Sequence, residues 1–202
     1  MMKILLKLAG WIDALNTHIG RSVYWLVLVA VLVSAGNALV RKMFNASSNA
    51  FLEMQWYLFS AVFLLCSGYA LLNGSHVRID VVSGRFSRRT QVWIDVLGTI
   101  FFLLPMAILL LYLSWPVFIR AVAQSEISMN AGGLPIWPAR LLVPIGFALL
   151  TLQGLSELVK RVAYLRGQAP DPDAHHAGPS AEEELAEEIR KLAEKKLAGE
   201  KA

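Results

Sequence analysis

Charge is what this sequence is short of. Only 17% of its 202 residues are Asp, Glu, Lys or Arg, and the mean hydropathy is +0.52; an average soluble domain is closer to a quarter charged. An ordinary soluble enzyme is excluded on that ground. Cysteine is nearly absent as well. Cys66 stands alone, which rules out a disulfide framework and a thiol-oxidising pair, and its mid-span position suits a small apolar packing residue. The four histidines, His18, His76, His175 and His176, all fall outside the long apolar runs, so a bis-histidine haem bundle lacks its ligands. No G-x-x-x-x-G-K-[ST] loop occurs, so ATP hydrolysis has no phosphate cradle. No cofactor, metal ion or nucleic-acid partner is called for.

The apolar residues that remain are not dispersed. Segments 22–40, 54–72 and 96–119 contain no charged side chain, and each is long enough to cross about 30 Å of hydrocarbon as a helix. A fourth segment, 138–157, carries Arg140 in its first turn, near enough to the end to snorkel, and is closed by Glu157, Lys160 and Arg161. The fold class expected is all-α, an integral membrane bundle of four spans over 22–166. The third is long enough that tilt or bending at Pro105 and Pro116 is expected.

Lys3, Lys7, Arg21, Arg78, Arg85, Arg88, Arg89, Lys160, Arg161 and Arg166 flank one side of these spans, and only Arg41, Lys42, Arg120 and Arg140 the other. The positive-inside rule then makes both termini and the middle loop cytoplasmic.

Residues 1–21 place Ile4, Leu5, Leu8, Trp11, Ile12, Leu15 and Ile19 at helical spacing with Lys3, Lys7 and Asp13 between them, and no small-residue cleavage site follows. The pattern fits an amphipathic helix lying in the inner interface, and equally a simple membrane-flanking anchor. Residues 167–202 open on a Pro/Gly/Asp linker and continue from Ser180 and Glu183, spaced as a capping box, into a Glu/Lys-rich stretch with a thin apolar stripe. A solvated tail is expected there. His175 and His176 lack further ligands at metal spacing. The charge divides accordingly: 14 basic and 6 acidic residues before Gly167, 5 and 9 from it onward.

Within the spans the polar residues include Ser34, Asn37, Gln55, Ser60, Ser67, Thr99, Ser114, Thr151 and Gln153. In a bilayer these are groups for interhelical hydrogen bonds, and Gly36, Gly68, Gly98 and Gly146 permit close backbone approach. Spans one to three hold no Asp, Glu, Lys, Arg or His. A conducting pathway normally places ionisable groups in the bundle interior, so a chain that translocates a solute alone is disfavoured.

The distinctive residues lie at the loops. Glu53, Gln55 and Trp56 stand at the start of span two, and His76-Val77-Arg78-Ile79-Asp80 after it. Ser125-Glu126 and Gly133-Leu134-Pro135-Ile136-Trp137-Pro138 precede span four, with Pro144-Ile145-Gly146 inside it. In this order they resemble the small permease (DctQ-type) subunit of tripartite ATP-independent periplasmic (TRAP) transporters, over roughly residues 10–165. The acidic tail lies outside the pattern.

The resemblance implies an inner-membrane protein that is not an enzyme. Its partners would be a large multi-span permease subunit, which holds the substrate and sodium ions, and a periplasmic substrate-binding protein that delivers an organic anion, commonly a carboxylate. The small subunit would enlarge the static scaffold in the lipid bilayer. Candidate contact or motif residues are then Glu53, Gln55, Trp56, His76, Arg78, Asp80, Glu126, Gly133, Pro135, Trp137, Pro144 and Gly146. Arg78 and Asp80 suit a polar clasp, with each other or with the large subunit, while Arg85, Arg88 and Arg89 suit topology. Glu53 and Glu126 would meet basic groups of a partner, or stand as solvated carboxylates at span ends. The same composition also allows a self-associating four-span protein, a small channel or an assembly factor, with no transporter partner.

Overall fold

The computed structural model describes residues 2–44, 49–74 and 86–170. Among these residues it is helical without strands, and an isolated antiparallel bridge joins Ile127 and Pro135. Four helices are long and apolar enough to span a membrane: α1 (Met2–Phe44), α2 (Asn49–Leu72), α3 (Arg88–Ala123) and α4 (Trp137–Leu165). The charge-free blocks are the reason, because in hydrocarbon a helix satisfies its own backbone polar groups. The chain is thus all-α with four potential spans.

Successive helices run in opposite directions. The N-terminus of α1, the end of α2, the start of α3 and the end of α4 meet at one end of the bundle, called proximal here. Phe44, Asn49, Ala123 and Trp137 lie at the other, distal end. Helix α4 packs against all three others. Its buried residues Gly146, Leu149, Gln153, Ser156 and Glu157 recur at three- and four-residue spacing, the stripe of a helix that faces a core. Two glycines set the distances. A Cβ on Gly146 would press into Leu64 of α2, and one on Gly68 would overlap Asn16 of α1 and approach the Leu149 carbonyl of α4.

The amphipathic segment expected over 1–21 and the span expected over 22–40 form one helix. No proline interrupts α1, and its buried residues Ala9, Asn16, Gly20, Val23 and Ala30 follow a single face. At 1.5 Å per residue α1 is about 65 Å long, more than the 40–45 Å of a bilayer with its headgroups. Segment 96–119 likewise extends into the longer α3, which contains a π turn, Thr99–Leu103, immediately before Pro105. Pro105 has no N–H for the carbonyl of Phe101; the turn widens so that Leu104 N–H reaches the Thr99 carbonyl instead. The end of α4 is capped where the linker was expected: Gly167 is left-handed (φ 68°), and Gln168 N–H donates to the Ala163 carbonyl at 2.9 Å. The tail beyond residue 170, with its capping box and histidine pair, lies outside the described residues.

Outside the core the surface is apolar. Trp25, Leu32, Phe63, Phe102 and Tyr112 all point outward, which suits hydrocarbon and not water.

Candidate functional site

Polar side chains gather at the two ends of the bundle, in two assemblies of different character. The proximal one joins α1, α3 and α4. Asn16, wholly buried, donates to Gln153 Oε1 at 2.9 Å. Gln153 in turn donates to Asp13 Oδ1 at 2.9 Å and to Glu157 Oε1 at 3.2 Å. Asp13 also accepts from Ser156 Oγ at 2.7 Å and from Lys160 Nζ at 3.0 Å. Glu157 accepts from Lys160 and, at 2.9 Å, from Arg161 Nη1, while Arg161 Nε lies 3.4 Å from Asp95 of α3.

Glu157 and Arg161 are buried, a position charged groups hold only when paired and hydrogen-bonded. Three carboxylates and two cations are interlocked here through one carboxamide. The arrangement is a fastening: it ties the first turns of α1 and a residue of α3 to α4. Sequence reasoning placed Asp13 on an interfacial helix and Gln153 among packing residues. The signal it lacked is the pairing of two stripes, Asp13 and Asn16 three apart on α1, and Gln153, Ser156, Glu157 and Lys160 at three- and four-residue steps on α4.

At the distal end the loop between α3 and α4 folds onto Glu53. The loop begins with Ser125 in a left-handed conformation (φ 48°) that closes the end of α3, Glu126 N–H reaching back to the Ala121 carbonyl at 3.1 Å. A short antiparallel pairing follows: Ser128 N–H to Leu134 O at 3.0 Å and Ile136 N–H to Glu126 O at 3.0 Å. Gly133 sits so close beneath Ser128 that a Cβ would displace it.

This hairpin presents three donors to the Glu53 carboxylate. They are the Ser128 hydroxyl, the Asn130 amide at 2.8 Å and the Leu134 N–H at 2.7 Å. Glu53 precedes the apolar run 54–72, and these hydrogen bonds, that of Ser128 foremost, hold its carboxyl below the ordinary value. Two further bonds from α2 support the loop: Tyr57 Oη to the Pro135 carbonyl at 2.9 Å and Asn49 Nδ2 to the Ala131 carbonyl at 3.2 Å. Glu126 is ion-paired with Arg140 of α4.

The structure therefore joins Glu53, Gly133 and Pro135 in one assembly, with Glu126 and Trp137 flanking it. Both carboxylates that the sequence offered to a partner are engaged within the chain. Pro144 and Gly146 lie apart, buried in the α2/α4 contact. Trp56 is 74% exposed on the exterior, and Gln55 faces a groove between α1 and α2. His76, Arg78 and Asp80 lie outside the described residues.

Comparison with known protein families matches residues 24–163 to the DctQ component of tripartite ATP-independent periplasmic transporters. The match begins within α1 and ends two residues before the end of α4, so it covers all four helices but not the first turns of α1, where Asp13 and Asn16 lie. No curated protein and no solved structure matches the chain.

Proposed function

The chain belongs to the DctQ component family of tripartite ATP-independent periplasmic transporters, and from that premise we propose that it is the static membrane scaffold of a sodium-coupled uptake system for an organic anion. Membership makes it a multi-pass membrane subunit of a transporter, a class that is not enzymatic, associated with a large permease and a periplasmic binding protein. In the finer reading the protein lies in the inner membrane with both termini in the cytoplasm. The proximal end, which carries most of the flanking Lys and Arg, then faces the cytoplasm, and the Glu53 assembly faces the periplasm. Substrate, a carboxylate, and sodium are bound by the large subunit.

The observation that carries the scaffold reading is where the charged side chains lie. Spans one to three have none within their apolar runs. The carboxylates among the described residues at the bundle ends are engaged within the chain, Glu157 with Lys160 and Arg161, and Glu126 with Arg140. A path for an anion or a sodium ion needs polar groups free to exchange partners along its length; ends riveted by ion pairs suit a part that stays still while another moves.

Purification from mild detergent after expression with the neighbouring genes tests the reading. A stable one-to-one complex with a much larger membrane protein is expected, and sodium-dependent uptake that requires both. Recovery of a homo-oligomer alone overturns it.

A further inference from the structure

Eleven Ser, Thr, Asn and Gln residues lie in the apolar segments, and the chain satisfies seven of them itself: Ser22 donates to the His18 carbonyl and Ser156 to Asp13. The hydroxyls of Ser67, Thr99, Ser114 and Thr151 donate to carbonyls three or four residues earlier, and Gln153 is held in the proximal network. Ser34, Asn37, Gln55 and Ser60 have no side-chain hydrogen bond to any described residue. Three of these four, Ser34, Asn37 and Gln55, line one groove of about 550 Å³ between the distal halves of α1 and α2. Ser34, Asn37, Ala38 and Arg41 are spaced three, four and seven apart, a single face of α1, and Gln55 answers them from α2. Arg41, Lys42 and Leu52 complete the lining, and neither cation has an ion pair among the described residues.

We propose that this groove is the seat of the large permease subunit, filled by one of its membrane helices bearing hydrogen-bonding side chains at the depth of Ser34 to Asn37 and a carboxylate at the level of Arg41 and Lys42. The proposal rests on the reading of the chain as a scaffold subunit and locates the surface that reading requires.

Four arguments select this occupant. Unpaired carboxamides facing hydrocarbon are costly, so the groove is covered where it lies in the membrane. Lipid does not cover it: an anionic headgroup matches Arg41 and Lys42, but acyl chains offer nothing to Ser34, about 10 Å further along α1 at 1.5 Å per residue. A soluble periplasmic protein does not reach that depth. A second copy of this chain, packed two-fold through the same groove, would set Arg41 and Lys42 against their own counterparts with no carboxylate in the lining to relieve them.

The test is photocrosslinking in cells that express the neighbouring genes. A benzophenone side chain replaces Asn37 or Gln55, and Phe102, 77% exposed on α3, serves as the control position. Crosslinks from 37 and 55 to the large permease are expected, with lipid alone at 102. Crosslinks from 37 and 55 only to lipid, to the binding protein or to another copy of the chain overturn the proposal.

In parallel, Asn37→Leu with Gln55→Leu, and Arg41→Glu with Lys42→Glu, are each expected to weaken the complex by about tenfold or more. The thermal stability of the isolated subunit stays put, because these side chains make no hydrogen bond or ion pair with any described residue. If the unaltered chain brings down the permease and both double variants do so equally well, the surface assignment fails alone. If the unaltered chain brings down no permease, the scaffold reading fails with it.

Discussion

Asn16 shows how far a single residue reaches in this bundle. Its amide nitrogen is committed to Gln153, and its oxygen, buried without a conventional donor, faces the Cα hydrogen of Gly68, the geometry of a weak C–H···O contact. Gly68→Ala drives a methyl group into that oxygen and toward the Leu149 carbonyl, and we expect a loss of about 1–3 kcal/mol, the usual penalty of overpacking. Asn16→Ala leaves Gln153 short of a donor at a similar cost. Because the two changes share one site, the double variant is expected to lose at least ~0.5 kcal/mol less than the two losses added; thermal unfolding in detergent measures this, and additive losses would refute the contact. Glu53 is the corresponding residue at the distal end. Its carboxyl is held below the ordinary value, so the ionised form stabilises the folded loop at neutral pH, and that contribution is lost as pH falls below about 4.3 and through the folded-state value. The melting temperature of Glu53→Gln is therefore expected to lie below that of the unaltered protein at pH 7 and to converge on it under acid conditions. A gap independent of pH would show that the charge contributes nothing.

Among the helices, α1 carries the largest difference between sequence and structure. Three of the four apolar blocks were legible because a charge-free run of that length has few other uses, the fourth because its charges, Arg140 and Glu157, stand only near its ends, and the cap at Gly167 because a Pro/Gly/Asp linker cannot continue a helix. The amphipathic stripe of residues 1–21 records that one face seeks apolar surroundings, and in the folded chain Ile4, Leu8, Trp11 and Leu15 of that stripe still face outward. What ties the segment to the bundle is its polar side: Asp13 and Asn16 bond partners on α4 about 140 residues away, which no local pattern announces. The distal assembly was half legible. Glu53, Gly133 and Pro135 were singled out one by one, but the hairpin that gathers them depends on Ser125 adopting a left-handed turn that a serine does not advertise. If the proximal network fastens α1, then Glu157→Ala, which takes the buried carboxylate from Lys160 and Arg161 and leaves them Asp13 and Asp95, is expected to cost about 3 kcal/mol. Asp13→Asn, at a more exposed site that keeps an acceptor, is expected to cost about 1 kcal/mol or less. A cysteine at Ala9, buried against α4, reports the release of α1 directly: in a Cys66→Ala background it is expected to react with maleimide in the Glu157→Ala protein and not without that change.

At the scale of the whole molecule, the two ends of the bundle differ in charge and in construction, and the positive-inside rule turns that difference into an expected orientation. In the sequence ten Lys and Arg residues flank one side of the spans and four the other. Each basic residue near an anionic inner leaflet is worth about 1 kcal/mol, so inversion would forfeit several kcal/mol even though some of the ten are engaged in the proximal network. It would also carry Arg41 and Lys42 of the groove, which have no ion pair among the described residues, to the cytoplasmic side. The lone cysteine makes the orientation measurable. With Cys66→Ala as background, a cysteine at Met129, fully exposed on the distal hairpin, is expected to react in intact cells with a maleimide that cannot cross the membrane, while one at Lys3 or Lys7 reacts only after the cells are opened. Labelling at 3 or 7 in intact cells would invert the protein and with it the assignment of the Glu53 assembly to the periplasmic face. The groove of Ser34, Asn37 and Gln55 opens sideways from the distal half, so a permease seated there would share a periplasmic surface with that assembly. A binding protein docking from the periplasm would then meet both subunits at once, which makes a rigid, internally satisfied distal loop a physical requirement of the complex.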